Sequence, residues 1–140
     1  MLSIIVSSYQ KDYFNQFSEN VLATIGENFV YEIVQIWNPG TMGICEAYNK
    51  GAEQAQYDNL LFVHEDVLFE TMNWGKMLYN HLQNDKIGCV GLAGCSVKTI
   101  FPIAWWKLQG NIYLNLNQYV DNTLTNEYRI DECKKTILLD

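Results

Sequence analysis

The chain is poor in basic residues and has no long apolar segment. Its 9 lysines and arginines stand against 16 aspartates and glutamates, which gives a formal net charge of −7. An acidic domain lacks the basic surface that binds nucleic-acid backbones or anionic membranes, so neither is an expected partner. No stretch approaches the roughly 20 apolar residues of a membrane-spanning helix. The apolar start at residues 1–6 lacks the basic segment of a signal peptide, so we read it as a strand.

Histidines and closely spaced cysteines are also scarce. The four cysteines form no Cys-x-x-Cys pair, and only two histidines are available, so no zinc site is expected. We expect the cysteines to be free thiols that act as small buried side chains in a reducing compartment. A cytoplasmic location is the resulting prediction.

The chain has the composition and the pattern of an α/β domain. Its 140 residues, 49% of them hydrophobic, suffice for one domain with a substantial core. Apolar periodicity predicts strands at 3–8, 31–37, 59–63 and 87–92, and helices at 11–27, 43–56 and 72–82. This alternation is typical of a doubly wound, mostly parallel sheet of at least four strands with helices on both faces. Asp12 is the predicted N-cap of the first helix.

The pattern weakens after residue 93. The segment 101–107 is apolar and aromatic and contains Trp105 and Trp106. The segment 111–126 predicts a hairpin or a loop, and 136–139 predicts a last strand.

The run from Asn59 to Val67 is the main indication of a site. Its apolar part predicts a strand buried on both faces, and it leads directly into His64, Glu65 and Asp66. Ligands of open parallel sheets bind beyond the carboxyl ends of the strands. Adjacent carboxylates at that position indicate a hard divalent cation, and with it a phosphate. Because side chains alternate along a strand, Glu65 is expected to point away from its two neighbours.

Three segments resemble the family 2 glycosyltransferases, whose fold is the GT-A fold of nucleotide-diphospho-sugar transferases. Residues 3–10 are similar to the opening strand S-I-I-V-P-T-Y-N, and residues 43–51 to the helix motif G-x-x-x-A-R-N-x-G. Residues 60–66 are similar to the strand that ends in the D-x-D metal motif. The ending His64-Glu65-Asp66-Val67 resembles more narrowly the H-x-D-V of a streptomycin-biosynthesis glycosyltransferase-like group. The Asn38-Pro39 turn, the run 46–49 and the Trp105-Trp106 pair also fit that group.

The resemblance implies a donor site. Mg²⁺ or Mn²⁺ would be held at Asp66 and His64, although His64 stands where the family has the first Asp, which weakens metal binding. Tyr48 stands where much of the family has Arg. The donor would be a UDP- or GDP-linked sugar, transferred with inversion to a glycan or glycoconjugate acceptor in bacterial-type polysaccharide or glycoconjugate synthesis. The residues expected to contact the donor are Ser7, Ser8, Tyr9, Asn38, Asn49, His64, Glu65, Trp105 and Trp106.

Several of these residues also have a purely structural interpretation. Asn38 also suits the turn before Pro39, Asp66 suits a cap of the next turn, and the two tryptophans suit a core. Gly51 is expected to permit close packing of helix and strand rather than ligand contact.

We expect one GT-A-like domain over 1–140, with a nucleotide-sugar half at 1–95 and a partial acceptor-side region at 96–140. The family places its catalytic base in a C-terminal portion, and no counterpart is visible before Asp140, so the catalytic residue is not assigned. Two other functions are open: a non-catalytic nucleotide- or sugar-binding module, and an α/β protein-interaction domain that exposes Trp105 and Trp106.

Overall fold

The computed structural model describes residues 1–97, 100, 107, 112–134, 136 and 138–139. The chain forms two compact units, Met1–Ile87 and Gly88–Asp140. Within the described residues, no helix has both the length and the apolar character needed to cross a membrane. The prediction of one domain with a division near residue 95 stays a prediction.

The first unit alternates strands and helices. Its strands are β1 (Leu2–Ser8), β2 (Tyr31–Trp37) and β3 (Leu60–His64), and its helices are α1 (Lys11–Thr24), α2 (Ile44–Gln54) and α3 (Trp74–Leu82). The strands are parallel and ordered β2-β1-β3. Ser8 of β1 pairs with Trp37 of β2, and Ser7 pairs with His64 of β3, so the three carboxyl ends share one edge.

The strand β1 organises the core because all seven of its residues are buried. Its even-numbered apolar residues pack with α1 and α3, in a cluster that contains Leu2, Ile4, Val6, Phe17, Val21, Ile25, Val63 and Trp74. Its odd-numbered Ile5 packs on the other face with Val34, Ile36 and Ala47 of β2 and α2. Each fully buried aliphatic side chain contributes about 1.5–3 kcal/mol. The predicted parallel sheet with helices on both faces is confirmed for this unit.

Gly51 brings α2 close to the sheet. A Cβ at this position would lie 2.2 Å from Cγ2 of Ile5, whose side chain is fully buried. The expected packing role of Gly51 is confirmed.

The prediction that β3 is buried on both faces is wrong. In the described sheet β3 is an edge strand, and Phe62 is 45% exposed while only Val63 is buried. An apolar run alone does not reveal the strand's place in the sheet, because an edge strand can place its apolar side chains against a helix on one face. Here Phe62 lies beside the ring of Tyr48 on α2.

The predicted fourth parallel strand at 87–92 is also wrong. This stretch contains no strand, and the described parallel sheet therefore has three strands. Gly88 and Gly91 supply no side chains to pack, which weakens a strand. The next strand begins at Ala93 and pairs antiparallel with its neighbours.

Three predicted helix features differ from the observed ones: the N-cap of α1, the end of α1 and the start of α3. The N-cap of α1 is Gln10, in extended conformation, and Asp12 lies in the first turn, so the N-cap prediction is wrong. The helix ends at Thr24 rather than residue 27, and Gly26 follows with a φ of +117°. Asn73, with a φ of 61°, delays the start of α3 to Trp74.

The second unit consists of short antiparallel strands. β4 (Ala93–Cys95) pairs with β5 (Ile112–Leu114) and with β8 (Leu138–Leu139). β6 (Leu116–Val120) and β7 (Thr123–Tyr128) form a hairpin. Its two turn residues, Asp121 and Asn122, have φ values of 50° and 60°, the left-handed conformation that two-residue hairpin turns require. Of the two alternatives for this segment, the hairpin is confirmed.

Candidate functional site

A cavity lies at the carboxyl edge of the three-stranded sheet. Its volume is about 220 Å³. The residues that line it are Ser7, Tyr9, Tyr13, Asn38, Ile44, His64, Glu65 and Asp66. All except Tyr13 and Ile44 are residues that the sequence indicated. Six of the predicted site residues of the first unit therefore converge on this cavity.

Asn38 both lines the cavity and shapes the turn after β2. Its backbone N–H donates to the carbonyl of Ser8 at 2.7 Å. Its side-chain amide donates to the Met42 carbonyl at 3.1 Å and accepts from the Met42 N–H at 3.1 Å. The same Nδ2 lies 3.5 Å from Oγ of Ser7. The turn-shaping role is thus observed, and ligand contact stays a prediction.

Glu65 points inward and holds the turn that connects β1 to α1. Glu65 is 4% exposed, while His64 and Asp66 on either side are exposed, and all three line the cavity. The expectation that Glu65 points away from its two neighbours stays a prediction. Oε1 accepts the backbone N–H groups of Tyr9 and Gln10, each at 3.0 Å. Because these groups lie at the start of α1, they suit a negative charge. The protein itself satisfies this carboxylate.

Asp66 and His64 are the exposed ionisable side chains at the carboxyl end of β3. Among the eight lining residues no lysine or arginine is present, so the lining charges come from Asp66 and Glu65. Across the described part of the chain, no group of three or more metal-binding side chains is preassembled. Asp66 and His64 both line the cavity, and their role as ligands of a divalent cation stays a prediction.

The aromatic ring of Tyr48 adjoins the site from α2. Its centroid lies 6.2 Å from that of the His64 imidazole, with an angle of 59° between the planes. It lies 5.2 Å from the Phe62 ring at 51°. In the sequence Tyr48 stands out as a departure from the Arg of the family motif, but its contacts with His64 and Phe62 were not predicted.

The sequence did not indicate two of the residues that line the cavity, Tyr13 and Ile44. Tyr13 lies in the first turn of α1, directly after the segment that carries Tyr9. Its nearness in sequence to Tyr9 was the only available signal. Ile44 is the first residue of α2 and directly follows Gly43, where the helix motif begins. An apolar residue in that motif gave no indication of a site.

Some predicted residues do not line the cavity. Ser8 is fully buried, and its hydroxyl accepts a hydrogen bond from Nε2 of Gln35 at 2.8 Å. Asn49 is exposed on α2 and is not among the lining residues. Trp105 and Trp106 lie outside the described residues.

A larger cavity, of about 520 Å³, lies beside the end of α1 and the start of β2. It is lined mainly by the segment 22–29 together with Tyr31, Met72 and Asn73. It contains none of the residues that the motifs indicate. The smaller cavity, where the polar residues converge, is therefore the candidate site.

Comparison with known proteins gives one match. A family model described as "Glycosyltransferase like family" matches residues 3–140. Neither the curated proteins nor the solved structures include a significant match. The family implies a glycosyltransferase-like function, with a sugar donor and an acceptor as partners in general terms. The chain belongs to the glycosyltransferase-like family, in agreement with the resemblance of its three motifs to the family 2 enzymes.

Proposed function

We propose that this protein binds a nucleotide-diphosphate sugar, UDP- or GDP-linked, in the 220 Å³ cavity at the carboxyl edge of its parallel sheet. The observation that carries the proposal is the convergence of Ser7, Tyr9, Asn38, His64 and Asp66 on this one cavity. The proposed fold is the GT-A fold, and the proposed nearest relatives are the streptomycin-biosynthesis glycosyltransferase-like group.

The nucleoside end of the donor would lie against Tyr9 and Tyr13. Both rings are partly solvent-exposed at the cavity, so their faces are available for stacking on a base. The Ser7 hydroxyl and the Asn38 amide supply donors and acceptors for the base or ribose. Pockets for whole small molecules measure about 300–1,000 Å³. A cavity of 220 Å³ therefore holds part of the donor, and the sugar extends beyond it.

The diphosphate would be bound through a metal. Glu65 and Asp66 make the lining acidic, and no cationic side chain is present there to attract phosphates. Mg²⁺ or Mn²⁺ at Asp66 and His64 would offset this repulsion. When bound, the cation supplies Lewis-acid stabilisation of the leaving diphosphate. Glu65 contributes by fixing the turn that carries Tyr9.

The proposed reaction is transfer of the sugar to a glycan or glycoconjugate acceptor by a single displacement with inversion, in a cytoplasmic pathway of polysaccharide or glycoconjugate synthesis. This mechanism follows the family resemblance. Inversion requires a general base that activates the acceptor hydroxyl.

A second candidate is a module that binds the donor without turnover. Of the two carboxylates that line the cavity, Glu65 accepts backbone N–H bonds and Asp66 is the proposed metal ligand. No other lining carboxylate of the cavity is free to act as the base. This observation favours binding without catalysis by the described residues of the first unit.

Calorimetric titration with UDP-glucose and GDP-mannose, in Mn²⁺ and again in EDTA, tests the proposal. We expect saturable binding of one donor in Mn²⁺ and its loss in EDTA. Slow release of free sugar from the bound donor, by transfer to water, would support the enzyme over the module. Absence of binding by both donors and by free UDP and GDP would contradict the proposed site.

A further inference from the structure

Two positions at which the chain departs from the family motifs lie in contact. Tyr48 stands in place of the motif's Arg on α2, and His64 stands in place of the first Asp on β3. Their ring centroids are 6.2 Å apart, at a 59° tilt. The two departures are therefore neighbours in space, although 16 positions separate them along the chain.

The elements that carry the two rings are fixed against each other. Ala47 and Gly51 are buried where α2 meets the sheet, and the missing Cβ of Gly51 lets the helix approach Ile5 closely. On β3, Phe62 and His64 are two residues apart and therefore lie on the same face of the strand. Tyr48 contacts both rings, so it covers the last two side chains on that face of β3.

The contact restricts an otherwise exposed side chain. His64 ends β3, pairs with Ser7 through the backbone register, and lines the cavity. An exposed histidine at a strand end samples several rotamers. The tilted Tyr48 ring occupies one side of the imidazole, in an arrangement that aromatic pairs prefer. His64 and Asp66 both line the cavity, so an imidazole restrained by Tyr48 stays beside it.

We propose that Tyr48 is a positioning residue that holds the His64 imidazole as a nitrogen ligand for the donor-bound divalent cation. This inference rests on the proposed donor site. A Tyr–His ring pair would then replace the Arg and Asp of the family motifs. An imidazole nitrogen suits transition metals better than Mg²⁺, so the site would favour Mn²⁺ over Mg²⁺.

Pulsed electron paramagnetic resonance on the full chain with Mn²⁺ and UDP tests the inference. A nitrogen bound directly to Mn²⁺ modulates the echo, whereas a nearby unbound nitrogen does not do so in the same way. We expect this modulation in the wild type and in Tyr48→Phe, which keeps the ring. It should be absent from His64→Gln and unaffected by His81→Gln, since His81 lies on α3 outside the cavity lining.

Tyr48→Leu provides the direct test of positioning. We expect the nitrogen signal to be lost and Mn²⁺ affinity in the presence of UDP to fall about tenfold or more, as for residues that orient metal-bound histidines. Circular dichroism would verify that the variant is folded. If it does not fold, the wild-type and Tyr48→Phe spectra still show whether a histidine nitrogen is bound to Mn²⁺.

The outcomes separate the two proposals. Binding of Mn²⁺ with UDP in the wild type without a nitrogen signal would overturn the role of His64 and leave the donor site intact. An unchanged signal and affinity in Tyr48→Leu would overturn the role of Tyr48 alone. Absence of Mn²⁺-dependent binding of both UDP and GDP by the wild type would overturn both proposals.

Discussion

Gln10 donates its backbone N–H to both carboxylate oxygens of Glu65, at 3.0 and 3.3 Å. The two residues are 55 positions apart, and the bonds join the end of β3 to the turn before α1. The adjacent N–H of Tyr9 donates to the same carboxylate. The middle residue of His64-Glu65-Asp66 thus fixes the turn that carries one proposed nucleotide contact.

Glu65→Ala should destabilise the first unit. The substitution removes the acceptor for the N–H groups of Tyr9 and Gln10 at a buried position, which costs about 1–3 kcal/mol. Urea denaturation followed by circular dichroism measures the change. Glu53→Ala, at an exposed position of α2, is the matched control and should unfold within about 0.5 kcal/mol of the wild type. Equal stability of the two variants would contradict the role given to Glu65.

Gly51→Ala should also destabilise the protein, against the trend of helix propensity. Alanine gains up to about 1 kcal/mol over glycine inside a helix. Its Cβ would, however, lie 2.2 Å from Cγ2 of the buried Ile5, and overpacking costs about 1–3 kcal/mol. The measurement is the free energy of unfolding of Gly51→Ala from urea denaturation. Gly88→Ala is the control, because a Cβ at Gly88 meets nothing within 4 Å. A stabilised Gly51→Ala would show that α2 is free to move away from the sheet.

Tyr9→Ala should weaken nucleotide binding, whereas Tyr9→Phe should preserve it. The proposed contact is stacking of the base on the exposed ring, which is worth about 1–3 kcal/mol per base. Calorimetric dissociation constants for UDP and GDP, measured in Mn²⁺, supply the comparison. The hydroxyl is unnecessary for stacking, so an equal loss in Tyr9→Phe would count against a stacked base and indicate a hydrogen bond to the phenol.

Asn38→Asp should weaken nucleotide binding more than Asn38→Ala. Both substitutions lose the donation from Nδ2 to the Met42 carbonyl, but the aspartate also adds negative charge to an acidic cavity. The difference between the variants therefore measures repulsion of the diphosphate, and added salt should reduce it. Equal dissociation constants for both variants would place the phosphates away from Asn38.

Part of the fold was predictable because local signals were strong. The bounds of β2, Tyr31–Trp37, were predicted correctly, since Asn38-Pro39-Gly40 ends an otherwise continuous strand. The position of β3 at the edge of the sheet was not predictable. Its apolar residues suit a central strand with helices on both faces equally well as an edge strand whose Phe62 packs against the ring of Tyr48. The glycines at 88 and 91 were wrongly read as part of a strand.

The convergence of candidate residues on the carboxyl edge of the sheet was also predictable, whereas their contacts with each other were not. The run from Asn59 to Val67 indicated the carboxyl edge of the sheet, and His64, Glu65 and Asp66 all line the cavity there. The partners of Glu65 are backbone groups of a turn more than fifty residues away, and no side-chain motif encodes them. The contact between Tyr48 and His64 depends on how α2 lies on the sheet, which sequence spacing does not reveal.

The most direct test of the account compares two aspartates at opposite ends of β3. Asp66 follows the strand at the cavity, and Asp58 precedes it at the other edge of the sheet. Calorimetry in Mn²⁺, with the donor or free nucleotide that the wild type binds, should show binding lost in Asp66→Ala and retained in Asp58→Ala. Undiminished, metal-dependent binding by Asp66→Ala would contradict a donor site at the carboxyl end of β3.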